Sequence, residues 1–324
     1  MLNAAIVGLG WWGRQLVRSV EASPLIRFSR GVTLEPEQAR EFAAANGLAI
    51  TTSYAEVLAD PAIDAVCLAT PHTRHRAQVE AAAAAGKHVY CEKPFALSKA
   101  DAEAALAAVR RAGVALGVGQ NMRFKASIRA LRELADAGTF GTIMLAEGNY
   151  SHALLADQPA DGWRAAAEES RAGGMTGMGI HVLDCFGYLV GPMRRIAARS
   201  AQRAVALPAG DTTAALIEFR NGALGTLGTT LKTPYVWRIA IFGSDAWAVS
   251  TSDTALTLRH GSGEPVTTEL ADTAHIRLNL ESFAAAALGR GTFHIDDAGI
   301  LHTVAALDAV FRSVAADGAW QAVE

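Results

Sequence analysis

The chain has 324 residues, 51% of them hydrophobic and 19% charged, with a formal net charge of −3. The length favours two domains, the composition excludes a disordered chain, and the charge gives no reason to expect nucleic acid or an anionic membrane as a partner. Cys67, Cys91 and Cys185 stand far apart among apolar neighbours, which indicates buried free thiols and a cytoplasmic location.

Neither a metal centre nor a membrane segment is expected. The 9 histidines are scattered rather than clustered as in a metal-binding tract. The longest apolar runs are interrupted by glycine or charge before they reach spanning length. An apolar strand begins within three residues of Met1, which leaves no room for a signal sequence.

The first 120 residues alternate between strand and helix patterns with short glycine-marked connections. The predicted strands are 4–8, 26–33, 65–69, 88–91 and 114–118, and the predicted helices are 11–21, 36–46, 54–59, 74–85 and 99–112. This alternation predicts the α/β class, with a doubly wound parallel sheet covered by helices on both faces. We therefore expect residues 1–120 to form one domain.

The pattern changes after residue 121. The predicted elements are helices 124–136, 178–190, 275–288 and 296–316, and strands 143–151, 195–202, 212–219, 223–231, 236–242, 247–250 and 255–258. Asn221-Gly222 between two of these strands is a strong hairpin signal. Residues 121–324 are expected to form an α+β domain with a large, mostly antiparallel open sheet.

A G-x-G-x-x-G pattern at Gly8, Gly10 and Gly13 follows the first strand and begins the first helix. In that context Gly8 permits the tight turn, Gly10 lets backbone approach a pyrophosphate, and Gly13 lets helix and strand pack closely. The pattern predicts dinucleotide binding. Trp11 and Trp12 lie inside the loop, where one of them covers the ligand cleft or packs against the second domain.

The end of the second strand bears on the choice between NAD and NADP. Thr33 occupies the position where an acidic residue would bind the ribose hydroxyls of NAD, and Arg30 lies close by. The absence of that carboxylate modestly favours NADP, with Arg30 as a source of positive charge for its 2′-phosphate. The alternative is that Glu35 reaches back to the ribose and NAD is used.

The segment from Ala85 to Pro94 predicts a ligand-contacting lysine. Gly86 ends a helix, residues 88–91 form a short buried strand, and Pro94 ends that strand. Lys93 and Glu92 are thereby placed at the carboxyl edge of the sheet, where ligands bind in open α/β folds. Thr70, Pro71 and the histidines after them leave a neighbouring strand at the same edge. His72 or His75 there contacts the cofactor, unless Thr73 caps the helix and His75 is packed inside.

A second glycine cluster, at residues 173–179, precedes a helix that carries His181 in its first turn. Asp184 follows on nearly the same helical face. A histidine at a helix start, next to backbone that allows close approach, suits proton transfer at neutral pH. The alternative is that His181 is an ordinary histidine packed in the core.

These residues resemble the glucose–fructose oxidoreductase and inositol dehydrogenase (Gfo/Idh/MocA) superfamily over almost the whole chain. The matching features are the glycine fingerprint, Thr70-Pro71 with His75, the run from Ala85 to Pro94, Trp163-Arg164, residues 179–184 and the closing helix. The resemblance implies a Rossmann domain followed by a domain whose open sheet commonly forms a subunit interface. A homo-oligomer, dimer or tetramer, is therefore expected through that sheet.

The resemblance also implies residue roles. Lys93 contacts and polarises the reacting hydroxyl or carbonyl, and His181 is the acid or base near it. Members of the family often carry an aspartate four residues before this histidine, whereas this chain has Gly177 there, beside Thr176. Either Asp184 or a water replaces that carboxylate, or Lys93 and His181 act alone.

The expected activity is reversible NAD(P)-dependent oxidation of a secondary alcohol of a sugar, polyol or related small molecule. Asn121 and Arg123 are candidate substrate residues together with Asp184, Thr176 and Trp163, although a domain-bridging ion pair accounts for Arg123 equally well. One alternative is redox-neutral elimination or glycoside cleavage with a transiently used NAD. Another is a non-catalytic dinucleotide-binding regulator, for which the missing aspartate is the best support.

Overall fold

The structure is a computed structural model that describes residues 1–153, 162–205, 207 and 209–324. The chain packs as two compact units. Unit 1 contains residues 1–121 and 276–300, and unit 2 contains residues 122–275 and 301–324. The division into domains 1–120 and 121–324 remains a prediction, and the compact units differ from it in that residues 276–300 pack with unit 1.

Unit 1 is built on a six-stranded sheet in which every neighbouring pair is parallel. Its strands are β1 (Leu2–Val7), β2 (Ile26–Val32), β3 (Ala49–Thr51), β4 (Ala65–Leu68), β5 (His88–Cys91) and β6 (Leu116–Val118), and its helices are α1 (Trp11–Ser19), α2 (Pro36–Ala45), α3 (Tyr54–Ala59), α4 (His75–Ala84) and α5 (Lys99–Ala112). The spatial order 3-2-1-4-5-6 is that of a dinucleotide-binding doubly wound sheet.

A later helix completes the core of unit 1. α8 (His275–Ala287) contributes Leu280, Phe283 and Ala284, all 0% exposed, to the same apolar cluster as strands β1 and β2. A Cβ added at Gly117 in β6 would lie 2.9 Å from Cβ of Phe283, so this glycine is what lets α8 approach the sheet. The Asn279 amide of α8 donates to the carbonyl of Val118 at 3.0 Å.

Unit 2 is built on a nine-stranded sheet. Its strands are β7 (Ile143–Ser151), β8 (Met193–Ala201), β9 (Thr212–Phe219), β10 (Leu224–Thr230), β11 (Val236–Gly243), β12 (Ala246–Ser250), β13 (Ala255–His260), β14 (Val266–Glu269) and β15 (Gln321–Ala322), with helices α6 (Ala126–Asp136) and α7 (Gly179–Leu189). The spatial order is 14-13-12-11-7-10-9-8-15, and only the pair β7–β10 is parallel within the described residues. The expected fold class, a Rossmann domain followed by a mostly antiparallel α+β sheet, is confirmed.

Three short strands were not expected from the sequence. β3 has three residues and β15 has two, which is too short for a periodic pattern. β14 is exposed at all four positions, so it has no apolar alternation to reveal it. The remaining elements agree with the expected ones apart from shifts of a few residues at their ends.

One helix, α9 (Asp297–Ala315), has the length and apolar composition to cross a membrane. Of its most apolar 18-residue window, 56% is buried inside this fold, as in the core helix of a globular protein. Its apolar residues are interrupted by Asp308 and Arg312, in agreement with the expectation from the sequence.

Candidate functional site

The four central strands of unit 1 end in one row. Val32, Val7, Leu68 and Cys91 are register partners across β2, β1, β4 and β5. The residues that follow them leave the sheet at the same carboxyl edge, as parallel strands require. They include Thr33, Gly8 and Glu92, so unit 1 brings its expected site residues to one edge.

The loop between β1 and α1 fits a phosphate-bearing ligand. Gly8 has φ +99°, and an added Cβ there would lie 2.4 Å from the carbonyl oxygen of Ala69. A Cβ on Gly13 would lie 1.9 Å from the carbonyl oxygen of Gly8. A Cβ on Gly10 would meet no atom within 4 Å, and Gly10 begins α1 without a side-chain cap. The first N–H groups of α1 therefore have no side-chain cap and space beside Gly10, which is the arrangement that holds a pyrophosphate.

The two tryptophans of the loop differ in environment. Trp11 is 59% exposed, whereas Trp12 packs against the apolar core of unit 1. Burial raises the pKa of the nearby Glu92 carboxyl, and the Trp12 indole partly offsets that rise. Trp11 is therefore the member of the pair that remains available to a ligand.

The adenosine side of this edge contains Thr33 and a pocket of about 330 Å³. Thr33 Oγ1 accepts a hydrogen bond from the Glu35 N–H at 3.1 Å, which fixes the turn after β2. Arg30 lies on β2 but pairs with Asp60 at 3.1 Å, so its charge is already neutralised by a carboxylate. Sequence reasoning did not single out Arg14 and Arg18 of α1, which line the pocket together with Thr33.

His75 ties together the loops that follow β4 and β5. Its ring is 0% exposed, with Nδ1 at 2.7 Å from the carbonyl oxygen of Pro94 and Nε2 at 3.1 Å from that of Thr70. Thr70 in turn donates from Oγ1 to Gln78 Oε1 at 2.5 Å. This histidine holds Pro94, and therefore the adjoining Lys93, in a fixed position relative to β4.

Glu92 and Lys93 form the centre of the edge. The Glu92 carboxyl is buried, and the Lys93 N–H donates to its Oε2 at 3.2 Å. Burial raises the pKa of Glu92 from 4.5 to about 7, although the charge of Lys93 acts in the opposite direction. A Cβ on Gly119 would lie 2.5 Å from this carboxylate, so glycine is needed where β6 ends. Lys93 itself is partly exposed.

Three buried acceptors at this edge have no hydrogen-bond partner among the described residues. They are Oε1 of Glu92, Oε1 of Gln120 and Oδ1 of Asn121. Buried acceptors of this kind are costly unless a donor reaches them. Together with the open first turn of α1, they fit a bound dinucleotide that carries both phosphates and N–H donors.

In unit 2, His181 lies in the first turn of α7 and is 4% exposed. α7 packs on β7 at Gly148, where an added Cβ would lie 2.2 Å from Cγ1 of Val182. Tyr150 is two residues further along β7 and hence on the same face. Its ring centroid lies 5.9 Å from that of His181, with the planes tilted by 58°.

Tyr150 is the centre of an aromatic cluster that the sequence did not reveal. His152, His181, Tyr235 and Trp237 all have ring centroids within 6.0 Å of it. Trp237 is the register partner of Tyr150 on β11. Burial raises the pKa of the Tyr150 phenol, so this hydroxyl stays protonated at neutral pH. The available signal was a tyrosine at the second position after a glycine on a strand, which is too common to be informative.

A buried cation, Lys125, also contacts the ring of Trp237. Lys125 is 2% exposed, its Nζ lies 3.7 Å from the Trp237 ring centroid, and it pairs with Asp253 at 2.6 Å. Burial lowers the pKa of Lys125, and the Asp253 carboxylate partly offsets this effect. The lysine therefore adds a cation–π contact to the Trp237 member of the aromatic cluster.

The other expected residues of unit 2 have partners of their own. Arg123 donates from Nε and Nη2 to the two carboxylate oxygens of Asp184, each at 2.7 Å. Thr303 donates to Asp184 Oδ1 at 3.2 Å. Both carboxylate oxygens are thus engaged, which argues against Asp184 as the group that orients His181. Since Arg123 and Asp184 belong to the same unit, this pair does not bridge the two units.

Thr176 and Trp163 also make local contacts. Thr176 is 1% exposed and donates to the carbonyl of Arg171 at 2.9 Å. Trp163 carries the Arg164 guanidinium over its ring at 4.2 Å. The glycines near Thr176 admit protein atoms: a Cβ on Gly174 would lie 2.7 Å from Cε of Met178. The close approach expected from this glycine cluster is therefore explained by packing inside unit 2.

The fold and the glycine loop define a dinucleotide-binding α/β enzyme. Family models bear this out: residues 2–120 match an oxidoreductase family with an NAD-binding Rossmann fold, and residues 128–249 match the GFO/IDH/MocA C-terminal domain. The chain belongs to the GFO/IDH/MocA family of NAD-binding oxidoreductases. Its expected family membership is confirmed.

Individual relatives are named for sugar chemistry. The chain is 35% identical to 1,5-anhydro-D-fructose reductase of Ensifer adhaerens over 155 residues, which cover 48% of this chain and 46% of that protein. It is 27% identical to 2,7-anhydro-N-acetylneuraminate hydratase of Escherichia coli over 268 residues, 81% of this chain and 71% of that one. The matches thus span about half to three quarters of these relatives' lengths.

Solved structures of the same architecture reach across the whole chain. A levoglucosan dehydrogenase in complex with NADH and levoglucosan superposes with a TM-score of 0.89 at 23% identity and covers 99% of both chains. At this identity the likeness shows a shared fold.

Proposed function

We propose that this chain catalyses the reversible oxidation of a secondary alcohol of a sugar, polyol or related small molecule to the ketone. The observation that carries the proposal is the position of Lys93. It is the second residue after β5, at the carboxyl edge of the sheet that also holds the glycine loop, and His75 fixes the adjoining Pro94. A cation in that position stabilises the negative charge that develops on a reacting oxygen.

The cofactor, when bound, supplies the hydride acceptor for the alcohol or the hydride donor for the ketone. The open first turn of α1 and Gly10 would hold its pyrophosphate, and Glu92 and Asn121 offer acceptors. We propose NADP over NAD because Thr33 stands where a carboxylate would repel a 2′-phosphate.

Two side chains of the protein carry the proton chemistry of the proposal. The Lys93 ammonium donates a hydrogen bond to the substrate oxygen and stabilises it as an oxyanion. His181 accepts the hydroxyl proton in the oxidative direction and returns it in the reductive direction. With Gly177 four residues upstream and Asp184 bound to Arg123, we propose that ring packing against Tyr150 positions His181.

The test is turnover of ketoses and small oxo acids with NADPH and NADH, and of inositols with NADP+ and NAD+, followed by absorbance of the reduced nicotinamide. Lys93→Ala is expected to lower kcat by roughly 10²–10⁴-fold while cofactor binding changes little. Lys99→Ala, a lysine of α5 whose Nζ pairs with Glu103 at 3.3 Å, is the matched control. A Lys93→Ala variant with near-full turnover on the true substrate would contradict the proposal.

The relationship to a hydratase favours one other candidate, a redox-neutral reaction on an anhydro sugar. In that case a cofactor retained through purification would show no net absorbance change while product forms. Membership of an oxidoreductase family argues against the non-catalytic alternative. Assembly through the sheet of unit 2 and a cytoplasmic location remain predictions.

A further inference from the structure

Two arginines of α1 converge on one aromatic ring. The guanidinium carbons of Arg14 and Arg18, four residues apart, each lie 5.3 Å from the centroid of Phe42 in α2. Residues at this spacing project from the same face of a helix. The two cations thus share one side of unit 1, at the pocket that Gly10 and Thr33 also line.

Arg14 is held in place by backbone groups. Its Nε donates to the carbonyl of Leu9 at 3.0 Å, and its Nη2 donates to the carbonyl of Gln38 at 2.8 Å. These bonds connect the glycine loop to α2 and use two of the five N–H donors of the guanidinium. Its remaining donors are free to point into the pocket with little further loss of side-chain entropy.

Neither cation is neutralised by a carboxylate. Within the described ranges, no ion pair involves Arg14 or Arg18, whereas Arg30 pairs with Asp60 and Arg40 pairs with Glu37. Two guanidinium groups that line one pocket without a counterion form a site for a compact dianion, because a guanidinium donates parallel hydrogen bonds to phosphate oxygens.

We propose that Arg14 and Arg18 form the subsite for the 2′-phosphate of NADP, a phosphate monoester on the adenosine ribose. The inference rests on the proposed function, since it assumes that the glycine loop holds a dinucleotide. It differs from the expectation drawn from the sequence, because the cations come from α1 rather than from Arg30 on β2. One carboxylate, that of Glu35, lines the same pocket and opposes the phosphate.

The test compares dissociation constants of NADPH and NADH, which differ only by the 2′-phosphate, by quenching of protein tryptophan fluorescence. Arg18→Gln removes one charge without touching the backbone contacts of Arg14. We expect it to weaken the binding of NADPH about 10- to 100-fold, because a charged hydrogen bond is lost, and the binding of NADH by less than about threefold. Arg27→Gln, an exposed arginine of β2 outside the pocket, is the matched control and leaves both constants unchanged.

Arg14→Lys tests the second cation while preserving charge. It is expected to weaken NADPH less than Arg14→Gln does, because a lysine keeps the charge and loses the two-point geometry. Equal weakening of NADPH and NADH by Arg18→Gln would place these arginines on the pyrophosphate or the adenine and overturn the assignment. So would an Arg30→Gln variant that loses as much NADPH affinity as Arg18→Gln.

The subsite and the proposed function are refuted by different outcomes. If wild-type protein binds NADH and NADPH equally tightly, the subsite is refuted and the dinucleotide site stands. If it binds neither, the proposed function is refuted and the subsite with it.

Discussion

Arg123 and Asp184 form a buried two-point ion pair, with both nitrogen–oxygen distances at 2.7 Å. The Asp184 side chain is 1% exposed and that of Arg123 is 10% exposed. Burial disfavours the charged guanidinium, yet the carboxylate outweighs it, so the pKa of Arg123 lies above its ordinary value. The pair joins the chain just before α6 to the middle of α7, the helix that carries His181.

Asp184→Asn is therefore expected to destabilise the protein by about 3–5 kcal/mol, because it leaves the Arg123 charge buried without a counterion. Urea unfolding at pH 7 measures the change. The control is Asp136→Asn, which removes a carboxylate from the Arg132–Asp136 pair, where Asp136 is 58% exposed. That change should cost less than about 1 kcal/mol. If both variants lost the same free energy of unfolding, the buried pair would contribute no more to stability than the exposed one.

The Glu92 carboxyl makes stability fall as pH rises. Burial raises its pKa from 4.5 to about 7, so between these values the folded chain keeps a proton that the unfolded chain releases. Glu92→Gln removes this dependence and is expected to stabilise the apoprotein above pH 7 by on the order of 3 kcal/mol, with no gain near pH 4. Urea titrations at pH 4, 6 and 8 provide the measurement, with Glu103→Gln on α5 as control. An unchanged pH slope would mean that Glu92 is ionised in the folded protein.

Two glycines of the loop between β1 and α1 are expected to have different roles, Gly10 in cofactor binding and Gly13 in folding. Gly10 has φ −68° and open space at its Cβ position, so Gly10→Ala is expected to leave the melting temperature nearly unchanged but weaken both dinucleotides. Gly13→Ala places a Cβ 1.9 Å from the Gly8 carbonyl oxygen and is expected to destabilise the fold by a few kcal/mol. Thermal unfolding and fluorescence titration of the two variants test the difference. Full cofactor affinity in Gly10→Ala would exclude this loop as the pyrophosphate site.

Tyr150 is expected to position His181 through its ring rather than its hydroxyl. Tyr150→Phe keeps the ring and should retain kcat within about threefold, whereas Tyr150→Ala frees the imidazole and should lower kcat by roughly 10²-fold. Both variants are compared on one substrate, with circular dichroism to verify folding. If Tyr150→Phe and Tyr150→Ala lowered kcat equally, the phenol would instead take part directly in proton transfer.

Glu35 opposes an anion at the adenosine pocket. Glu35→Gln is expected to strengthen NADPH binding several-fold and leave NADH unchanged, because the exposed carboxylate repels a phosphate and is partly screened by salt. Glu37→Gln, on the same helix and paired with Arg40, serves as the control. A loss of NADH affinity in Glu35→Gln would support the alternative in which Glu35 binds the ribose hydroxyls.

Local sequence patterns predicted much of the fold and part of the candidate site. The glycine loop, the strand before Lys93 and the helix start at His181 each depend on neighbouring residues, so the sequence revealed them. The pairing of Asp184 could not be predicted in this way, because its partner Arg123 is 61 positions away. The same holds for Arg30 and Asp60, and for Tyr150 beside His181, which meet only after the chain has folded.

Unit 1 is built from two separate stretches of the chain, and this affects its folding during synthesis on the ribosome. Its sheet is complete once residue 118 has emerged, yet the ring that covers Gly117 belongs to Phe283. At bacterial or eukaryotic elongation rates the nascent chain waits about ten seconds or longer for that helix. During this interval the face of the nascent sheet that α8 later covers is exposed to water. We therefore expect chaperones and proteases to recognise first the truncated products that end before residue 276.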